Sequence, residues 1–201
     1  MDSNPFSSRY IRPGAVEYQF STGFDIGRLL ARFRANRYCG QILGPHGTGK
    51  STLLWTLKRE LEREKTPFAF YCLHADQSSR AVLAGWSAVS FGTVLIIDGF
   101  EQLSFWKRWI IRAWTRMRSQ GLIITGHRPL GLPILWNTTL DVDRAIELAN
   151  QQRTAAKSTE STEFPELDPD LIRQLFWKRN GNLREIYFDL YDYCEHRTQI
   201  Q

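Results

Sequence analysis

The segment Gly44-Pro-His-Gly-Thr-Gly-Lys50-Ser51 constrains this chain more than any other. It has the spacing G-x-x-x-x-G-K-[ST], which works only between a strand and a helix. Residues 38–43 before it read as a short buried strand. Residues 51–64 after it read as a helix with Leu53, Leu54, Leu57 and Leu61 on one face. Glycines let the backbone curl until successive N–H groups point inward at a phosphate. The helix that starts there adds its positive dipole end. Lys50 has the reach for β- and γ-phosphates, and the Ser51 hydroxyl can ligand Mg²⁺. Gly44, Pro45, His46, Gly47, Thr48, Gly49, Lys50, Ser51 and Thr52 are therefore the candidate nucleotide-binding residues.

The flanking sequence predicts an α/β fold with a parallel five-stranded sheet. After a polar lead-in over 1–23, residues 25–33 have helical spacing. Further strands are predicted at 67–73, 93–98, 121–125 and 132–140. Helices are predicted over 77–89, 101–118 and 141–152, the last capped by Asp141. Alternating strands and helices imply parallel crossovers. The implied organisation is a lead-in (1–23), an α/β core (24–152), a flexible linker (153–166) poor in large apolar residues, and a small C-terminal helical lid (167–201).

Composition narrows the classes. The 201 residues suit one domain with a small appendage, and a net charge of +5 permits a polyanion partner without requiring one. Cys39, Cys72 and Cys194 lie far apart, which argues against a disulfide framework or zinc site and for a reduced, cytoplasmic setting. No secretory signal is evident, and no apolar run is long enough to span a membrane. His46 and His74 have no ligand partners at metal spacing.

A phosphate loop needs a second acidic element. The third strand, Val-Leu-Ile-Ile-Asp98, ends in a carboxylate able to hold a magnesium-bound water beside Ser51; the alternative is an Asp that merely caps a turn. The loop, then Asp98-Gly-Phe-Glu101, then Thr125-Gly-His-Arg128-Pro, then Gly181-Asn-Leu-Arg184-Glu, together resemble the ATPases of the AAA+ and STAND groups over about residues 24–195. That resemblance implies ATP and Mg²⁺ as cofactors, with Ser51 and Asp98 holding the metal and Lys50, Glu101, Arg128 and Arg184 acting on the γ-phosphate.

The details depart from AAA+ rings. The position after Asp98 is Gly99, and the acid comes at Glu101, a spacing similar to NACHT-type STAND proteins. Glu101 is the candidate to orient the attacking water; the alternative is a first-turn helix acid stabilised by the dipole. Thr125-Gly-His-Arg128-Pro resembles the STAND Thr-Ser-Arg-Pro segment, so Arg128 would sense the γ-phosphate, with Thr125 and His127 as alternatives. Arg184 resembles the AAA+ lid arginine. Its alternative is an exposed arginine after a helix-ending Gly181 and an N-capping Asn182. Seven residues (126–132) between the fourth and fifth strands leave no room for the helix that AAA+ rings carry there.

Along 101–118, Leu103, Trp106, Ile110, Trp114 and Met117 form an expected core face. Arg108, Arg112 and Arg116 form an opposite stripe that reads as a solvated face or a contact for nucleic acid or an acidic partner. The leading expectation is a slow Mg²⁺-dependent ATPase that switches a protein or nucleic-acid partner or its own self-association. A small-molecule or nucleoside kinase and a non-catalytic adaptor are the alternatives. No Asn-Lys-x-Asp motif follows Ile124 to read guanine, so ATP is favoured over GTP.

Overall fold

The computed structural model of the chain describes residues 4–21, 23–73, 89–159 and 166–198. The predicted helix over 77–89 and His74 lie essentially outside these residues. Two compact units divide the chain: Glu17–Gly44 with Lys50–Thr138, and Met1–Val16 with Pro45–Gly49 and Thr139–Gln201.

The first unit is built on five parallel strands: β1 (Cys39–Leu43), β2 (Phe68–Cys72), β3 (Val94–Asp98), β4 (Gly121–Gly126) and β5 (Ile134–Asn137). Their order is β2-β3-β4-β1-β5. β1, β3 and β4 are apolar over most of their length because both sheet faces are covered. Ile42, Ile96 and Ile123 face one side, where Leu29 and Phe33 of α2 (Ile26–Ala35) and Leu53 and Leu57 of α3 (Lys50–Arg63) cover them. Leu95, Ile97, Leu122 and Ile124 face the other side. Asp25 caps α2 by accepting from the Arg28 N–H at 2.7 Å.

Two expectations change here. The helix predicted over 101–118 is two elements. Phe100–Gln102 is a short 3-10 turn, and α4 begins at Phe105 and ends at Met117. The reason lies at Gly99, whose φ is +78° and where a Cβ would lie 2.8 Å from the Leu73 carbonyl oxygen. The chain breaks left-handed before it can enter a helix. The buried face of α4 also differs from the expected one. Ile111 and Thr115 are its buried residues, whereas Trp106, Ile110, Trp114 and Met117 are exposed. On the sheet side, Arg112 donates to the carbonyls of Leu130 (2.8 Å) and Gly131 (2.7 Å). The short β4–β5 connection has carbonyls that need donors, and arginine supplies them where the apolar pattern predicts solvent.

The second unit is helical: α1 (Ser8–Ile11), α5 (Val142–Thr159), α6 (Pro169–Lys178) and α7 (Leu183–Thr198). Asp141 caps α5 as expected, accepting from the Arg144 N–H at 2.7 Å. Residues 153–159, expected as flexible linker, continue α5. Ala145, Ala149 and Ala156 are buried along its inner side, so close packing of small residues replaces the large apolar periodicity that the prediction sought. Residues 160–165 lie outside the described set. The lead-in up to Val16 belongs to this unit: Phe6 is buried among Ile186 and Leu190, and Gln152 donates to the Pro5 carbonyl at 2.9 Å, whereas Tyr18 and Phe20 pack against the core of the first unit. Asn4 donates to the Tyr191 carbonyl (3.0 Å) and Glu195 (2.9 Å). Among the described residues, no helix is long and apolar enough to cross a membrane.

Candidate nucleotide site

Strand register assembles the site at the carboxyl edge of the sheet. Leu43 pairs with Gly126 and Ile97 with Ile124. Residues following β1 and β4 are thereby brought together, as are Asp98 and Thr125. Carboxyl edges of open α/β sheets are where ligands bind, because loops diverge there and leave a crevice.

Asp98 is held rather than free. Its Oδ1 accepts from the Thr125 hydroxyl at 2.6 Å, and the same hydroxyl accepts from the Gly99 N–H at 2.8 Å. Thr125 is thus committed to fixing the carboxylate. The Cys72 thiol lies 3.9 Å from the other Asp98 oxygen.

Lys50 donates to the Gly44 carbonyl at 2.7 Å and stands 3.3 Å from His127 Nδ1. His127 Nε2 lies 3.1 Å from Glu101 Oε1, and Nδ1 lies 2.9 Å from the Gly44 carbonyl oxygen. An ammonium can only donate, so beside Lys50 the neutral ring accepts at Nδ1 and presents its proton at Nε2 to Glu101. The imidazolium would use both N–H groups, on Gly44 and on Glu101. Glu101 Oε2 is buried and, among the described residues, has no hydrogen-bond partner. Burial of an unpaired acceptor costs about 1–3 kcal/mol, which a water or other donor would recover.

The connection carrying His127 is clamped from below. Gln41, buried in mid-strand, accepts from the Leu130 N–H at 2.8 Å and donates to the Leu132 carbonyl. Arg112 holds the neighbouring carbonyls. Gln41 and Arg112 are supports that sequence reasoning missed. The sequence-level signal for Gln41 was a lone amide inside an otherwise apolar strand.

Within the helical unit, Gly47 has φ +72°, and a Cβ there would lie 1.9 Å from Asn182 Oδ1 and 2.9 Å from Asn182 Cα. Only glycine fits this approach. Thr48 donates to the Pro45 carbonyl at 2.9 Å. Asn182 stands at the N-cap position of α7, its carbonyl accepting from the Ile186 N–H at 3.0 Å, but its Oδ1 is buried and has no partner among the described residues. Gly181 does end α6, with φ +70° and its N–H donating to the Phe176 carbonyl at 2.9 Å. Arg184 and Arg128 are exposed, and among the described residues neither guanidinium has a hydrogen bond or ion pair. Ser51 and Thr52 open α3, and His46 is exposed on the loop. Among the described residues no three His, Cys, Asp or Glu side chains cluster as metal ligands.

No protein-family model matches this sequence, and no curated protein matches it. Solved structures do match. The Thermotoga maritima RuvB Holliday junction branch migration motor is 17% identical, with a TM-score of 0.53, over 83% of this chain and 59% of that one. The replication initiator DnaA bound to AMPPCP and single-stranded DNA is 17% identical, with a TM-score of 0.56, over 86% and 61%. A DNA replication initiation factor is 15% identical, with a TM-score of 0.54, over 89% and 66%. The chain spans about six-tenths of the length of these structures. At such identities the likeness concerns the fold alone, the parallel α/β sheet with flanking helices described above.

Proposed function

We propose that this chain binds ATP with Mg²⁺, hydrolyses it slowly, and uses the nucleotide state to switch the binding of a partner. The observation that carries this reading is Glu101. One carboxylate oxygen is held by His127, while the other is buried and, among the described residues, unpartnered. An oriented acceptor of this kind is what an attacking water requires.

The residues present fit the implied cofactor. Gly47 leaves the loop backbone bare, Lys50 rests on a backbone carbonyl and an imidazole, and Asp98 is fixed by Thr125. When bound, ATP with Mg²⁺ supplies the electrophilic phosphorus and neutralises its oxygens. In this reading Ser51 and Asp98 hold the metal, and Lys50 leaves Gly44 to donate to phosphate oxygens. Glu101 Oε2 accepts a water proton. His127 steadies Glu101, a role its contacts favour over that of Arg128. Arg128 and Arg184, both exposed, are the proposed γ-phosphate sensors.

Slow turnover follows from placement. Position 99 cannot carry the acid, so the base sits two residues later on a 3-10 turn. The Asp-Gly-x-Glu spacing agrees with a STAND-like switch more than with a ring motor. The partner is a protein or a nucleic acid; DNA appears in the descriptions of two of the similar structures.

The test is fluorescent-ATP binding and phosphate release, with and without single-stranded DNA, for the wild type, Lys50→Ala and Glu101→Gln. We expect Lys50→Ala to lose binding and Glu101→Gln to bind ATP but not release phosphate. Unchanged ATP affinity in Lys50→Ala would sink the proposal. Phosphate transfer to a small acceptor would replace it with the kinase reading.

A further inference from the structure

The outward face of α4 has no counterpart in the nucleotide chemistry. Phe105, Trp106, Trp109 and Met117 are 66%, 71%, 59% and 80% exposed, and Ile110 and Trp114 join them. Positions 106, 109/110, 114 and 117 recur at three- and four-residue steps, so these side chains form one ridge along the helix. With about 150–250 Å² per aromatic side chain, the ridge shows on the order of 700 Å² of mostly apolar surface. That exceeds the roughly 300–600 Å² of the largest patch on a typical monomer and approaches the ~800 Å² per partner of a standard interface.

The charge written along this stretch of the chain has one sign. Between Glu101 and Asp141 the sequence carries no Asp or Glu, but it carries Lys107, Arg108, Arg112, Arg116, Arg118 and Arg128. Among the described residues, no carboxylate pairs with Arg108, Arg112 or Arg116. Arg118 lies over the rings of Phe91 and Trp114, 4.7 and 5.3 Å from their centroids, and extends the patch with a cation.

We propose that this ridge is a docking surface for an amphipathic helix of another protein, apolar along one stripe and flanked by Asp or Glu. A ridge of knobs at helical spacing fits the grooves of a second helix. Carboxylates on its flanks would meet Arg116 and the cations beside it. A second copy of this chain fits poorly, because a two-fold contact sets the same arginine-bearing face, with no carboxylate on Arg116 among the described residues, against itself. Nucleic acid fits less well than a helix. Arg112, the centre of the arginine stripe, is committed to the Leu130 and Gly131 carbonyls, and Ile110 and Met117 offer no plane for base stacking. The proposal is independent of ATP binding.

The test selects binders of the whole protein from a displayed library of random peptides three to four helical turns long. Selected peptides should show apolar residues at i, i+3/i+4 and i+7 with flanking Asp or Glu. They should lose at least about thirtyfold in affinity to Trp106→Glu/Met117→Glu, as two interface anchors imply. Arg116→Glu should weaken the acidic peptides and spare versions with the acids replaced by Gln. ATP binding and circular dichroism of each variant confirm the fold, and Trp106→Ala serves if the double variant does not fold. Selection of peptides without that pattern overturns the proposal, as does undiminished binding to the variants or failure to select any peptide. Ridge-dependent dimerisation in sedimentation, or ridge-dependent binding of oligothymidylate or phosphatidylglycerol vesicles in the absence of peptide binding, overturns it in favour of those partners.

Discussion

His127 Nε2 lies 3.1 Å from Glu101 Oε1, while the other nitrogen of the same ring stands 3.3 Å from Lys50 Nζ. One imidazole therefore touches both the proposed base and the proposed phosphate-binding ammonium. Positioned bases contribute typically 10²–10⁴-fold to rate. Glu101→Gln is expected to lower kcat about 100-fold or more and to leave ATP affinity within about threefold. His127→Ala should lower kcat about tenfold, and His127→Gln, which can still donate, should recover part of it. Single-turnover phosphate release reads both. Equal kcat in wild type and Glu101→Gln would remove Glu101 from the reaction.

Gly99→Ala tests why the acid stands at 101. The residue would adopt φ near +78° with its Cβ 2.8 Å from the Leu73 carbonyl oxygen. A strained non-glycine residue costs about 1–3 kcal/mol. Thermal unfolding should fall by several degrees. An unchanged melting temperature would show that the turn relaxes freely.

Gln41→Leu keeps the volume of a buried strand residue but removes both clamps on the β4–β5 connection. The Leu130 N–H and the Leu132 carbonyl lose their partner, at about 1–3 kcal/mol. Chemical denaturation should show this loss. Turnover should drop further than in a core variant of equal stability cost, because the same connection carries His127. A matched drop in both would assign Gln41 to stability alone.

In the helical unit, Arg179 donates to both oxygens of Asp189, at 2.7 and 2.6 Å. These bonds hold the Asp189 carboxyl below its ordinary value. The folded form therefore binds its proton less readily than the unfolded chain does. The stabilisation is complete above roughly pH 4 and is lost as pH falls through the folded value. Asp189→Asn should lower the melting temperature at pH 7 and converge with wild type in acid. A constant difference at every pH would contradict this linkage.

Burial pushes the Cys194 thiol up to about 11. With 2% of the residue exposed, its alkylation at pH 8 should wait for unfolding of the helical unit. Following modification of each cysteine by mass spectrometry across a urea series checks this. Rapid labelling of Cys194 in native protein would show that the unit opens locally.

The sequence by itself determined the local chemistry: the glycine-rich loop, the apolar strands, the cap at Asp141, and the order of Lys50, Asp98 and Glu101 along the chain. These are written in short windows, where spacing and side-chain type decide the outcome. Only the tertiary structure decided which groups meet. Strand register, a relation between residues far apart in sequence, set His127 beside Gly44 and Lys50 and gave Thr125 to Asp98. The same limit explains α4. Its periodicity grouped Trp106, Ile110, Trp114 and Met117 on one face but could not say that the sheet would take Ile111 and Thr115 instead. The carbonyls of the β4–β5 connection needed donors, so Arg112 turned inward and the tryptophan ridge was left facing out.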